Sequence, residues 1–281
     1  MLNFLLKPVR FFQKKTALRY KKKLKGIIGQ KKFEPLPNTA GKPPLFIVTL
    51  TSYGRRTEDT APYAIWSLFE QSVKPDKIVL WLDEDKWNLN NIPELLKTEI
   101  EMGLEIRFCK DIKSYTKLNH ALKCFPNDVL VTVDDDIYYP KDWLELLLKT
   151  HRENPQKICC HRAHAIRDGK PYNKWKWRAS VRDNPSKIFP TGVGGILYPP
   201  NSLATEYLEE AMALAPHADD IAYWALAKMK GTGYCLVEGG YFETRQVDGF
   251  DESDSLIMIN VRQGANDRQM DVVLKRFWEN Q

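Results

Sequence analysis

The feature that most constrains the fold is an alternation that begins at Leu45. "LFIVTL" is a short apolar run rich in β-branched residues, and "TAPYAIWSLFEQS" after it carries helical spacing. The pattern then repeats as "KIVLWLDED" with "IPELLKTEIEMG", "LEIRFCKD" with "YTKLNHALKCF", and "DVLVTV" with "KDWLELLLKTHREN". Gly103 stands where a glycine closes the second helix. Continuously apolar strands between helices predict an α/β domain with a mostly parallel central sheet covered on both faces. Ligands of such sheets bind outside the carboxyl ends of the strands. Three of those ends are polar here: Thr49, Thr51, Tyr53, Arg55 and Arg56 at the first, Asp83, Glu84 and Asp85 at the second, and Asp134, Asp135 and Asp136 at the fourth.

The fourth end, "VTVDDDIYYP", concentrates negative charge at the close of a buried strand. Two carboxylates about 6–7 Å apart repel by roughly 2–3 kcal/mol at an effective dielectric near 20. On an extended segment Asp134 and Asp136 share a face and Asp135 points away. Two hard oxygen ligands on one face suit Mg²⁺ or Mn²⁺, which completes its shell with phosphate oxygens and water. The alternative is a helix start, in which an Asp caps the following amides; Asp142 is better placed for that task.

Two further stretches stand out. "TGVGGILYPP" is no dinucleotide fingerprint, and its glycines let backbone pass close to a bound group or form a plain strand and turn. "APHADDIAYWALAKMKG" predicts a helix from about Asp219, closed by Gly231. Asp219 and Asp220 fall in its first turn, where they either answer the helix dipole or act as a base. The dipole lowers a carboxylate's pKa, whereas a like-charged neighbour raises it.

The order of these motifs resembles GT-A-fold, DxD-containing glycosyltransferases, in particular bacterial members that act on surface polysaccharides. "VLVTVDDDIYYP", "FPTGVGGILYPP" and "HADDIAYWALAK" carry the resemblance, which spans roughly residues 44–240. It implies a Rossmann-like sheet, a nucleotide-sugar donor such as a UDP-sugar, a divalent cation (Mn²⁺ or Mg²⁺), and a saccharide or lipid-linked acceptor. Carried over by position, it implies Asp134 and Asp135 near the donor nucleotide, Asp136 with Asp134 on the metal, and Thr51, Tyr53 and Arg55 in the nucleotide-facing loop. It implies Asp83 near the base, Lys117 as a cation near the donor, and Gly194 and Gly195 beside the sugars. Asp220, with Asp219, corresponds to the general base of inverting members. For Lys117 a solvated helix face, and for Tyr53 and Arg55 ordinary loop positions, are the alternatives.

Charge divides the chain. Residues 1–32 hold eleven Lys or Arg and no acid, leaving 31 basic and 36 acidic residues elsewhere. With Leu2, Phe4, Leu5, Leu6, Val9, Phe11 and Phe12 among the cations, this arm predicts contact with an anionic membrane surface, partly as an amphipathic helix. A solvated tail and an organellar transit peptide are the alternatives. Residues 33–44 form a linker, 45–250 the catalytic domain, and 251–281 a C-terminal extension packed on it, with a strand at "DSLIMINV" and a helix at "DRQMDVVLKRFWEN". Residues 149–187 hold eleven basic and three acidic residues with Tyr172, Trp175 and Trp177 interleaved. Trp175 and Trp177 are candidates for stacking on an acceptor sugar; no nucleic-acid partner is expected, although single-strand binders share the pattern. Five cysteines without CxxC spacing fit a reducing compartment, and no apolar run is long enough for a transmembrane helix. The expected location is cytoplasmic, peripheral at the inner face of the membrane.

Two other readings compete. A haloacid-dehalogenase-like phosphatase also ends an apolar strand in DxD, but its DxD strand usually comes first, and Ile137 and Tyr138 follow here where that family favours Gly and Thr. A non-enzymatic module binding membranes or polyanions would need neither acid cluster.

Overall fold

Each apolar run of the alternation becomes a strand whose successive side chains enter two separate cores. The computed structural model describes residues 17–27, 36, 44–241, 243–248 and 264–279. An N-terminal helix, α1 (17–27), precedes β1 (Phe46–Thr51), α2 (Arg56–Asp59), α3 (Ala61–Phe69), β2 (Lys77–Asp83), α4 (Glu94–Glu101), β3 (Leu104–Cys109), α5 (Thr116–Cys124) and β4 (Val129–Thr132). There follow β5 (Ile137–Tyr138), α6 (Trp143–Glu153), β6 (Ile158–Cys160), β7 (Ala163–Ala165), β8 (Ile188–Pro190), β9 (Ile196–Tyr198), α7 (Leu208–Leu214), α8 (Asp219–Lys230), β10 (Tyr234–Leu236), β11 (Arg245–Gln246) and α9 (Ala265–Leu274).

Among the described residues the main sheet has seven strands in the order β10-β6-β9-β4-β1-β2-β3. β4, β1, β2 and β3 pair in parallel, as do β10 and β6. Only β9 runs against its neighbours, β4 and β6. The mostly parallel α/β sheet expected from the alternation is therefore present. One consequence decides where chemistry can occur. The ends of β1, β2, β4 and β6 and the start of β9 all lie along one edge.

Alternation along the strands sorts side chains to opposite faces. Ile47, Val79 and Leu130 join a core with α5, α7, α8 and α9. Val48, Leu50, Ile78, Leu80 and Val131 join a second core with α3, α4, α6 and Leu24 of α1. These strand residues are at most 1% exposed, and burying each contributes roughly 1.5–3 kcal/mol.

The helix expected from Asp219 starts there and ends at Lys230, with Gly231 in the left-handed C-cap at φ 77°. Asp142 does precede α6, but its carboxylate accepts the Tyr241 hydroxyl at 2.6 Å and makes no side-chain cap bond to the helix. The strand expected at "DSLIMINV" and most of the arm and linker lie outside the described residues.

Candidate active site

The acid triplet leaves β4 at the sheet edge, next to the end of β1. The Asp134 amide donates to the Tyr139 hydroxyl oxygen at 2.8 Å, which fixes where the turn begins. Asp135 turns inward and is 5% exposed; it accepts the Ser52 hydroxyl at 2.5 Å and the Arg56 guanidinium at 3.0 Å. Arg56 also pairs with Asp136. Asp134 and Asp136 keep 27% and 28% of their side chains exposed.

Lys117 connects this triplet to the second acid pair. It projects from α5, 11% exposed, with its ammonium 2.9 Å from Asp134 and 3.5 Å from Asp219. Burial alone would lower its pKa, but Asp134, Asp219 and Asp220 outweigh that and raise it well above the ordinary lysine value. Its backbone is tied down as well: the Thr49 hydroxyl donates to the Lys117 carbonyl at 2.6 Å, and the Trp81 indole N–H donates to Thr49 at 2.9 Å.

Asp220, at the start of α8, accepts the Gly192 amide at 3.0 and 3.2 Å through its two oxygens. A Cβ at Gly192 would lie 3.1 Å from Asp220 and 3.3 Å from Lys117, so glycine lets this loop close on both. Burial, then the Asp219 charge, push the Asp220 carboxyl up to about 7 against the pull of Lys117 and the Gly192 amide. Burial likewise pushes Asp136 up to about 7, with Asp135 and Asp134 adding to it and Arg56 opposing. At Asp134 burial also works upward, but Lys117, Arg56 and Arg162 prevail and hold it below the usual carboxylate range.

The other expected site residues divide. Thr51 sits at the end of β1, its hydroxyl donating to the Trp81 carbonyl at 3.0 Å. Tyr53 is 55% exposed in the loop beyond β1, and Arg56 lies over its ring at 5.4 Å. Arg55 points outward, its side chain 94% exposed and paired with Asp59. Asp83 closes β2 and pairs with Lys86 at 3.3 Å. Gly194 and Gly195 pass close to protein atoms: a Cβ would meet Arg162 at 2.6 Å from Gly194, and Trp143 at 2.3 Å from Gly195, whose φ is +87°. Trp143 is held there by its indole N–H, which donates to the Gly194 carbonyl at 2.8 Å. Trp175 is 7% exposed and packs on Tyr172 and Phe189, whereas Trp177 is 42% exposed.

Sequence reasoning passed over Arg56 as a site residue in favour of Arg55, and it missed Ser52, Arg162 and Gly192. Arg162 follows β6 at the same edge, and Asp220, Glu243 and Asp134 are among the groups whose charge acts on it. Nothing in its local sequence signals that position.

A family model described as glycosyl transferase family 2 matches residues 47–205, more than half of the chain. The chain belongs to glycosyl transferase family 2. It is thus a glycosyltransferase, built on the fold such enzymes use for nucleotide sugars, and the phosphatase and binding-module readings fall away. The matched stretch runs from β1 through β9 and stops before Asp219 and Asp220. No curated protein matches the sequence. Among solved structures, the transferase is similar to CMP:2-keto-3-deoxy-manno-octonic acid synthetase complexed with CTP, at 11% identity over 79% of this chain and 98% of that chain, with a TM-score of 0.44. It is also similar to the mannosyltransferase PcManGT from Pyrobaculum calidifontis in complex with GDP-Man and Mn²⁺, at 16% identity over 89% of this chain and 68% of that chain, with a TM-score of 0.46. At these scores neither neighbour bears on chemistry.

Among the described residues no group of three or more His, Cys, Asp or Glu side chains is disposed to hold a metal ion by itself. What the edge offers a cation is two partly open carboxylates, Asp134 and Asp136. That donor set fits an ion of the Mg²⁺ or Mn²⁺ type, which commonly takes one or two protein carboxylates and completes its shell elsewhere.

Proposed function

We propose that the transferase moves a sugar from a nucleotide-diphosphate donor, a UDP-sugar, to a hydroxyl of a saccharide or lipid-linked acceptor in surface-polysaccharide synthesis, with a divalent cation at Asp134 and Asp136. The observation that carries this reading is the Lys117 bridge. One buried ammonium reaches Asp134 of the triplet and Asp219 of the second pair, which supports a single site for donor and acceptor chemistry.

The roles follow from the contacts. Asp134 and Asp136 would hold the cation, which neutralises charge developing on the leaving diphosphate. Arg56 steadies Asp135 and Asp136 from behind. Thr51, Tyr53, Arg55 and Asp83 stand at the adjoining strand ends, where a nucleoside would lie. Asp220 takes the proton from the acceptor hydroxyl; its elevated pKa suits a base that works near neutrality. The Gly192 amide fixes both oxygens of that base. Trp177, exposed in a basic loop, would stack on an acceptor sugar. The basic arm, residues 1–32, holds the enzyme peripherally at an anionic membrane face.

Thermal unfolding tests the reading. Uridine diphosphate with Mn²⁺ should protect the protein, while either alone protects little; a ligand at 100 times its dissociation constant adds about 2.7 kcal/mol. Asp136→Ala should abolish the protection. Equal protection without metal, or unchanged protection in Asp136→Ala, would overturn the proposal.

A further inference from the structure

Helix α1 has two faces with different partners. Ala17 and Leu24 are buried, and Tyr20, Lys21 and Ile27 are half-buried. Steps of three and four along a helix place these residues in one stripe. Leu18, Arg19, Lys22, Lys23 and Lys25 are exposed. The stripe lies against the protein: Leu24 belongs to the core on the α3, α4 and α6 side, with Tyr20 and Ile27 packed on it.

The contacts of the stripe lead directly to the acid triplet. The Tyr20 ring meets Tyr138 edge-on at 5.0 Å, and the Arg245 guanidinium lies 4.6 Å from the Tyr20 centroid and 5.8 Å from that of Tyr138. The Lys21 ammonium donates to Asp248 at 2.6 Å and sits 5.2 Å over the Tyr63 ring. Tyr138 and Arg245 are partners in the antiparallel β5–β11 ribbon, where Ile137 also faces Gln246. The next amide, that of Val247, donates to the Asp136 carbonyl at 2.8 Å. Two contacts therefore separate α1 from the backbone of Asp136.

We propose that α1 is a two-faced strap. Its packed face holds the β5–β11 ribbon, and through it the Asp136 backbone, in place; its cationic face docks on an anionic membrane surface. The proposal deepens the reading of Asp136 as a site residue and rests on it for its functional meaning. An amphipathic helix usually lowers its apolar stripe into lipid. Here that stripe is occupied by the protein, so docking relies on charge and weakens with salt. Each exposed basic residue near an anionic leaflet is worth roughly fivefold in affinity. A lipid surface fits this face better than single-stranded nucleic acid, which calls for exposed aromatic platforms. Leu18 is the one exposed large hydrophobic residue on the described helix, and it suits a headgroup region. Tyr20 and Lys21 are then positioning residues, and the cations are surface contacts.

The full chain tests both faces separately. With phosphatidylglycerol–phosphatidylcholine vesicles, the Arg19→Glu, Lys22→Glu, Lys23→Glu, Lys25→Glu variant should bind at least about a hundredfold more weakly. Its amide exchange at residues 136–139 and 245–247 should match the parent. Tyr20→Ala should do the reverse, with exchange there about tenfold faster and vesicle affinity kept. Tyr20→Phe should restore protection, because the ring edge and not the hydroxyl makes the contact. Lys21→Met, which removes the Asp248 pair and the cation over the Tyr63 ring, supplies a milder variant with the same direction of effect. Unchanged exchange in both Tyr20→Ala and Lys21→Met overturns the strap. Unchanged vesicle binding in the fourfold variant, or a higher affinity for a single-stranded RNA oligonucleotide than for the vesicles, overturns the lipid docking. Neither readout uses donor, metal or turnover, so a failure of the glycosyl-transfer reading would be seen separately.

Discussion

Asp134 and Asp220 lie around one lysine, and their surroundings drive them to opposite states. Asp134 touches the Lys117 ammonium at 2.9 Å, and its carboxyl is held below the usual carboxylate range. Asp220 has a backbone amide for a partner and Asp219 as its neighbour, and its carboxyl rises to about 7. Both are aspartates at the same edge of the same sheet. The difference shows how contacts separate two carboxyls of one kind: a facing ammonium holds one down, and a like-charged neighbour adds to burial in raising the other.

The strongest way to break this comparison is Asp220→Asn. Turnover should fall by about 10²–10⁴-fold, the usual share of general base catalysis, while protection by uridine diphosphate with Mn²⁺ persists. Retained turnover would remove Asp220 from the base role. Lys117→Met strikes both acids at once. It leaves buried carboxylates without their cation, a loss of about 3–5 kcal/mol in stability by denaturant titration. Lys117→Arg should recover part of that loss, because the charge returns in a larger group.

A pH series sharpens the contrast. If Asp220 is the base, kcat/KM climbs as pH rises toward about 7 and levels beyond it, and Asp220→Asn flattens that limb. The stability effect has the opposite sign. A carboxyl whose folded pKa is raised favours the fold below its unfolded pKa, and the benefit is lost as pH rises through the folded value. Asp220→Asn should therefore gain stability relative to the parent above pH of about 7 and lose that advantage in acid. The smallest effect belongs to the arginine pair beyond β1. Arg55→Ala, at an exposed side chain, should change stability by less than about 0.5 kcal/mol, whereas Arg56→Ala frees Asp135 and Asp136 and should cost more.

These contrasts also show what the sequence could tell. Strand–helix alternation is a local signal, and the sheet, the polar strand ends and the Asp219–Lys230 helix with its Gly231 cap were legible from it. Side-chain direction at irregular positions was not. Arg55 and Arg56 are adjacent, and the short turn of α2 decides which one faces the triplet. Trp175 and Trp177 read alike in a basic loop, yet one packs on Phe189 and the other stays open. Gly194 and Gly195 signalled close approach correctly in kind, but the atoms approached are those of Arg162 and Trp143. The apolar residues that suggest a lipid contact, Leu2 to Phe12, lie outside the described residues, whereas the stripe of α1, with Tyr20, Leu24 and Ile27, packs on the protein. Arg162 and Gly192 reach the site only through long-range strand order, which no local pattern encodes.

The bond from the Val247 amide to the Asp136 carbonyl also orders events in time. A ribosome delivers the acid turn long before it delivers the strand that secures it. The acid turn therefore waits for nearly the whole domain: β10 completes the sheet just before β11 arrives, and α9, which closes one core, comes after both.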